Sequence, residues 1–157
     1  MKIVLCGDNH CNKRVLDDIV SVHPDADYYW HLGDSEFFDE EDLKPFISVK
    51  GNNDYGINLP FRREIEVGGH KFLLIHGTGM FPGDYSSLAR TAKEKGCDVV
   101  LFGHTHRPYD EMTDGIRMIN PGSCRHNRGY AYPTYVILDI DEKGKINATF
   151  IDIDNDR

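Results

Sequence analysis

Short apolar runs of strand type alternate with polar turns along this chain. Lys2 to Cys6 is β-branched and apolar and predicts a buried strand. Val15 to Val22 has helical spacing, and Pro24 closes it. Tyr28 to Leu32 predicts a second strand, Asp42 to Phe46 a short helical piece, and Ile47 to Lys50 a third strand ending at Gly51. The pattern then changes. Arg63 to Val67 and Lys71 to Ile75 flank Gly68-Gly69-His70 and predict a β-hairpin. Tyr85 to Lys95 predicts a helix, with Gly96 as its stop. Val99 to Phe102 predicts another buried strand. Further strands are predicted at Tyr109 to Thr113, Ile116 to Ile119, Thr134 to Ile140 and Ile146 to Ile153, with turns at Asp114-Gly115 and Lys143-Gly144. The tail from Asp152 to Asp156 reads as the frayed end of the last strand.

The first half thus alternates strand and helix, and the second half is mostly antiparallel strand. A mixed α/β fold of two packed sheets with outer helices accommodates both. In such folds, polar residues just past the C-terminal ends of buried strands collect in one crevice. No repeat or linker interrupts the 157 residues, which predicts one domain over 1–157.

Composition narrows the class. With 39% hydrophobic and 28% charged residues, the chain reads as an ordinary soluble globular protein. No apolar run approaches the ~18 residues of a membrane span, and Ile3 to Leu5 is too short for a signal peptide. The four cysteines, Cys6, Cys11, Cys97 and Cys124, form no CxxC pair. Free thiols and a cytoplasmic location are expected. The net charge of −8 opposes stable binding to duplex nucleic acid. A small phosphorylated substrate at a local positive centre remains open. The acidic run from Glu36 to Asp42 is expected to be a solvated helix start, and Trp30, Phe37, Phe38 and Phe81 to pack in the core or a lid.

Five polar clusters follow the strand-like runs: Asp8-Asn9-His10, Gly33-Asp34, Gly51-Asn52-Asn53-Asp54, His76-Gly77 and Gly103-His104-Thr105-His106. They supply seven donors: Asp8, His10, Asp34, Asn52, His76, His104 and His106. Mixed nitrogen and oxygen donors without sulfur suit Mn²⁺, Fe²⁺, Ni²⁺ or Zn²⁺. Seven are too many for one ion of ordinary coordination, but suit two ions if one carboxylate, Asp34, bridges. The two ions carry +4 and the two carboxylates −2, leaving about +2 on an acidic protein. Such a centre favours a phosphoryl group, attacked by a metal-activated hydroxide.

In order and spacing, these motifs resemble the calcineurin-like metallophosphoesterases. Asn120-Pro121-Gly122-Ser123 is similar to a segment of the small bacterial and archaeal phosphodiesterase branch of that superfamily. The resemblance implies a four-layer α/β/β/α sandwich of two mixed sheets with outer helices. It implies a dinuclear site in which one metal takes Asp8, His10, Asp34 and His106, and the other Asp34, Asn52, His76 and His104. Mn²⁺ is the expected ion. The second site has only the shared carboxylate and an amide oxygen, so it is expected to bind its metal more loosely.

One letter departs from the pattern. Many relatives carry a His after the metal-binding Asn, held to be the general acid for the leaving group; here the position is Asn53. Loss of a general acid costs ~10²–10⁴ in rate, which biases the expected chemistry toward stable leaving groups. Asp54 is expected to orient a ligand or close its turn. Asn9, Asn53, Arg125, His126 and Arg128 are the candidate substrate contacts, while His23, His31 and His70 read as structural, His31 facing away from the site.

The expected function is hydrolysis of a small phosphodiester by a hydroxide bridging two metals. One rival is a phosphomonoesterase or protein phosphatase using the same site. Another is a non-catalytic, metal-binding interaction scaffold resembling the retromer subunit of this fold.

Overall fold

The computed structural model describes residues 1–80 and 83–153. Alternation along the strands decides the layering. In β1 (Lys2–Cys6), Ile3 and Leu5 face one way and Val4 and Cys6 the other. All four are buried. A strand covered on both faces reads as a continuous apolar run rather than an alternating one.

The first sheet has the order β10-β9-β1-β2-β3, with β2 at Tyr28–His31, β3 at Ile47–Ser48, β9 at Thr134–Ile140 and β10 at Ile146–Asp152. Here β1, β2 and β3 run parallel, while β9 is antiparallel to both β1 and β10. The second sheet has the order β4-β5-β6-β8-β7, with β4 at Arg62–Val67, β5 at His70–Ile75, β6 at Val99–Phe102, β7 at Tyr109–Thr113 and β8 at Ile116–Asn120. Its central strands β5, β6 and β8 are parallel, and the edge strands β4 and β7 are antiparallel.

Ile3, Leu5, Trp30 and Leu32 of one sheet meet Phe72, Leu74, Leu101 and Ile119 of the other in the core between the sheets. On the outer face of the first sheet, Val4 and Cys6 pack with Val15, Leu16 and Ile19 of α1 (Lys13–Val22). On the outer face of the second, Leu73, Val100, Phe102 and Met118 pack with Leu88, Ala89 and Ala92 of α2 (Ser86–Glu94). The result is the α/β/β/α sandwich of two mixed five-stranded sheets.

Several local expectations needed correction. Helix α1 starts at Lys13, not Val15, because the Asn12 side chain accepts from Val15 N–H and caps the helix there. The piece placed at Asp42 to Phe46 is a single 3₁₀ turn at Glu40–Asp42, capped by Asp39. Pro45 prevents its extension by disfavouring helical backbone at Lys44. Strand β3 stops at Ser48 because the Lys50 N–H turns away to Pro60 O at 2.7 Å. The acidic run is not simply a solvated helix start: Phe37 is buried, while Phe38 is 83% exposed rather than packed. The last strand is not frayed at Ile153, which is buried and donates its N–H to Pro133 O at 2.8 Å. Phe81 and the tail from Asp154 to Asp156 lie outside the described residues. Among the described residues, no helix is long and apolar enough to cross a membrane.

Candidate metal centre

The parallel strands of both sheets run their C-terminal ends toward one edge of the sandwich. β1 ends two residues before Asp8, β2 three before Asp34, β3 four before Asn52, β5 one before His76 and β6 two before His104. The backbone there is tightly curled. Asp8, His10, Asp34, His104 and His106 all have positive φ, between 43° and 68°. Non-glycine residues in this region carry strain of ~1–3 kcal/mol each. Five such residues at one end of the fold mark a site whose geometry the surrounding structure enforces.

The side chains converge in two groups. In the first, His10 Nε2 lies 3.1 Å from His106 Nε2, and Asp8 Oδ1 lies 3.6 Å from His106 Nε2. In the second, Asn52 Oδ1 lies 3.0 Å from His76 Nε2 and 3.2 Å from His104 Nδ1, while Asp34 Oδ2 lies 3.3 Å from His76 Nε2. Asp8 Oδ1 is also 3.9 Å from His76 Nε2, so it sits between the groups. Metal-competent triads occur at Asp8-His10-His106 and at Asp8-Asp34-His76.

Proton bookkeeping favours a cation. His76 faces Leu32 O through Nδ1 at 2.7 Å, and His10 faces Glu36 Oε2 through Nδ1 at 3.1 Å. Both acceptors fix the proton on Nδ1 and leave a lone pair on Nε2 aimed into the group. Among the described residues, Asp8 Oδ1 and His106 Nδ1 are buried without any hydrogen-bond partner. An orphaned, fully buried carboxylate oxygen is costly unless a cation meets it. The donor set therefore fits divalent metal.

Electrostatics inside the site agree. Burial alone would raise the pKa of Asp34, but His76 and two donations from Asn53 outweigh it and hold the carboxyl at about 2. Burial lowers His76, yet Asp34 and Asp8 overcome this and raise it. His104 is lowered, by burial first and then by neighbouring His76.

Supporting contacts fix the loops. The buried Asp54 carboxylate accepts from Asp34 N (2.8 Å) and Gly51 N (2.7 Å) on one oxygen and from Glu36 N (2.9 Å) on the other. Asn53 donates to Asp34 twice, through its backbone N at 2.9 Å and its Nδ2 at 3.1 Å. Position 51 has to be glycine, since a Cβ there would lie 2.1 Å from Asp34 Oδ1. From the far side, Ser123 Oγ donates to Asp8 O at 2.7 Å, and Asn120 Nδ2 donates to Gly103 O and Thr105 Oγ1, each at 3.0 Å.

The model of the calcineurin-like phosphoesterase superfamily domain matches residues 1–143. This chain belongs to that superfamily. It is 35% identical to a probable metallophosphoesterase of Methanocaldococcus jannaschii, over 98% of this chain and 82% of that one. Among solved structures, a predicted phosphoesterase of Streptococcus pneumoniae superposes with a TM-score of 0.86 at 26% identity, covering 96% and 88% of the two chains. An archaeal phosphodiesterase superposes at 0.71 and 26% identity, covering 96% and 100%. Vps29 of Entamoeba histolytica shares the fold at 0.74 and 21% identity, covering 98% and 100%.

For a metallophosphoesterase, two sequence expectations are then corrected. Asn9 was expected to touch substrate. It is fully buried, with its Nδ2 donating to Asn12 O at 3.3 Å and its Oδ1 facing His31 Nε2 at 2.8 Å. Its amide is spent inside the protein. His31 does not face away: it lies beneath the site, where Nδ1 accepts from Gly33 N at 3.1 Å. Burial drives its pKa down to about 4, so it is a neutral strut between the loops of Asp8 and Asp34. Glu36, hidden within the acidic run, was missed as the partner of His10. Of the candidate basic contacts, the Arg125 guanidinium donates to His10 O, Arg128 N donates to His106 O at 2.8 Å, and His126 is exposed.

Proposed function

We propose that this metallophosphoesterase is a phosphodiesterase working with two divalent ions, Mn²⁺ first among them and Ni²⁺, Fe²⁺ or Zn²⁺ suiting the same donors. The observation that carries this reading is Asp8 Oδ1, buried without a partner between two groups of imidazole nitrogens. Asp8, His10, Asp34 and His106 would hold one ion; Asp34, Asn52, His76 and His104 the other. When bound, the ions supply Lewis acidity at the phosphoryl oxygens and an activated water.

The chain's own groups do the rest. Glu36 and Leu32 O hold the His10 and His76 rings in the tautomer that presents Nε2. Asn53 and Asp54 hold Asp34 and its turn in place. Arg125, beside His10, and Arg128, beside His106, can meet substrate oxygens with charge-assisted hydrogen bonds. Asn53 has no proton to give a leaving group at useful pKa, which supports diesters with stable leaving groups over alkyl ones. Four free cysteines accord with a reducing cytoplasm.

The test is hydrolysis of an aryl diester and the matching aryl monoester across metals, with Asp34→Asn as control. Preference for the diester, lost in Asp34→Asn, is expected. Preference for the monoester would make the enzyme a phosphomonoesterase. A scaffold reading is favoured by one observation: Phe38, Tyr55 and Phe61 are 83%, 83% and 74% exposed. Inactivity on both esters with every metal would decide for it.

A further inference from the structure

We propose that a cavity on the His106 side of the metal centre binds one nucleotide unit, a phosphate with its base, adjoining the diester to be cut. The proposal rests on the diesterase reading and names its substrate class. The cavity is about 370 Å³ and is lined by Tyr85, Arg107, Pro108, Tyr109, Arg128 and Tyr130. It starts at the candidate metal loop, because Arg107 follows His106 directly and Arg128 N donates to His106 O at 2.8 Å.

Two features specify the ligand. First, the protein carries a net charge of −8, yet among the described residues neither the Arg107 nor the Arg128 guanidinium is paired with a carboxylate. The nearby Asp110 is already taken by Arg117, at 2.9 Å, and Asp152 accepts from Tyr130 Oη at 2.9 Å. Two unpaired guanidiniums in one cavity select an anion, and their forked donors match phosphate. Gly129 has a φ of 70°, and a Cβ there would lie 3.2 Å from Arg107 Nη1, so the bare backbone lets that guanidinium lie close.

Second, the walls are aromatic. The Tyr85 and Tyr109 ring centroids are 4.5 Å apart, and Tyr130 is 47% exposed at the mouth. Tyrosine faces beside arginine are the usual means of holding an unpaired base, by stacking at ~1–3 kcal/mol per base. An aryl group alone would leave the arginines unmatched, and an isolated phosphate would leave the rings unused. The volume falls at the low end of the ~300–1,000 Å³ of small-ligand pockets. The acidic surface opposes a longer polyanion. A dinucleotide or a strand end fits both limits.

The test compares a 5′-phosphorylated dinucleotide with the unphosphorylated dinucleotide and an aryl diester, on wild type and Arg107→Ala. Charge-assisted hydrogen bonds are worth enough that this variant should raise KM for the phosphorylated dinucleotide about tenfold relative to the aryl diester. Calorimetry on metal-free protein should show a nucleoside 5′-monophosphate binding more tightly than inorganic phosphate, and Tyr130→Ala should erase the difference. Equal KM changes on all substrates, or equal binding of the two phosphates, would overturn the proposal. No hydrolysis of the aryl diester by wild type would instead remove the diesterase reading, and the calorimetry would still judge the cavity.

Discussion

Asp54 offers the sharpest test of how the site is held together. Its buried carboxylate gathers three backbone N–H groups, from Asp34, Gly51 and Glu36, at 2.7–2.9 Å. Asp54→Asn keeps the shape and removes the charge. An amide has one accepting oxygen. If that oxygen takes the place serving Asp34 and Gly51, the NH₂ faces the Glu36 N–H, donor against donor. The other orientation strands two N–H groups. The variant therefore loses at least one hydrogen bond to a charged acceptor, worth ~1.5–3 kcal/mol, and weakens two more. A net loss of about 3 kcal/mol follows, or a fall in Tm of about 6–12 °C at ~2–4 °C per kcal/mol for a chain of this size. Because Asp54 ties the turn that carries Asn52 to the loop that carries Asp34, metal affinity should also fall, by ~10–100-fold as for other residues that orient ligands. Thermal melts of metal-free protein and calorimetric Mn²⁺ titration measure the two effects. A Tm within about 2 °C of wild type, with unchanged affinity, would refute the reasoning: the three N–H groups would then be satisfied without the charge.

Further outcomes are expected at three positions. Asn53→Ala releases the side-chain hold on Asp34 and should weaken metal binding about tenfold or more, whereas Asn53→His should gain most on alkyl leaving groups; equal gains on aryl and alkyl diesters would sink the general-acid argument. Asn9→Ala breaks the buried bridge from His31 to Asn12 and should lower stability by ~1–3 kcal/mol in urea denaturation, with KM unchanged; a selective KM effect would restore Asn9 as a substrate contact. His70 faces Asp98 Oδ2 at 2.5 Å and also Gly144 O; burial lowers its pKa, but the Gly144 and Asp98 contacts outweigh this and raise it. Its protonated form is thus favoured by folding, and its contribution is complete below the unfolded pKa of ~6.5. That contribution is lost as pH rises through the raised folded value. Urea midpoints from pH 5 to 9 should fall across that window in wild type and not in His70→Gln, and parallel curves would exclude the tie.

Much of this was legible in the sequence, for physical reasons. β1, β6 and β9 have the predicted bounds because each is a run buried along nearly its whole length, and β7 has them because the Asp114-Gly115 turn ends it. The five polar clusters fall at strand ends, where a parallel sheet gathers loops at one edge. What escaped depends on backbone direction rather than residue type. Glu36 sits in an acidic stretch that looks solvated, but positive φ at Asp34 and Glu36 turns it back to His10. His31 occupies a strand, where period alone suggests the opposite face; the curl after Leu32 brings the Gly33 N–H to its Nδ1. Asn53 reads in the sequence as a missing acid and a candidate substrate contact, because its grip on Asp34 needs the turn around Gly51. The Arg107 cavity joins Tyr85 just before α2, the segment running into β7 and the loop after β8, three stretches with no shared pattern.

The most direct test is Mn²⁺ titration of chelator-treated protein, followed in the same samples by aryl diester hydrolysis. Two ions per chain are expected, the first tight and the second looser, with activity rising as the second binds and Asp34→Asn losing both. A single ion, two equally tight ions, or full activity in the stripped protein would contradict this.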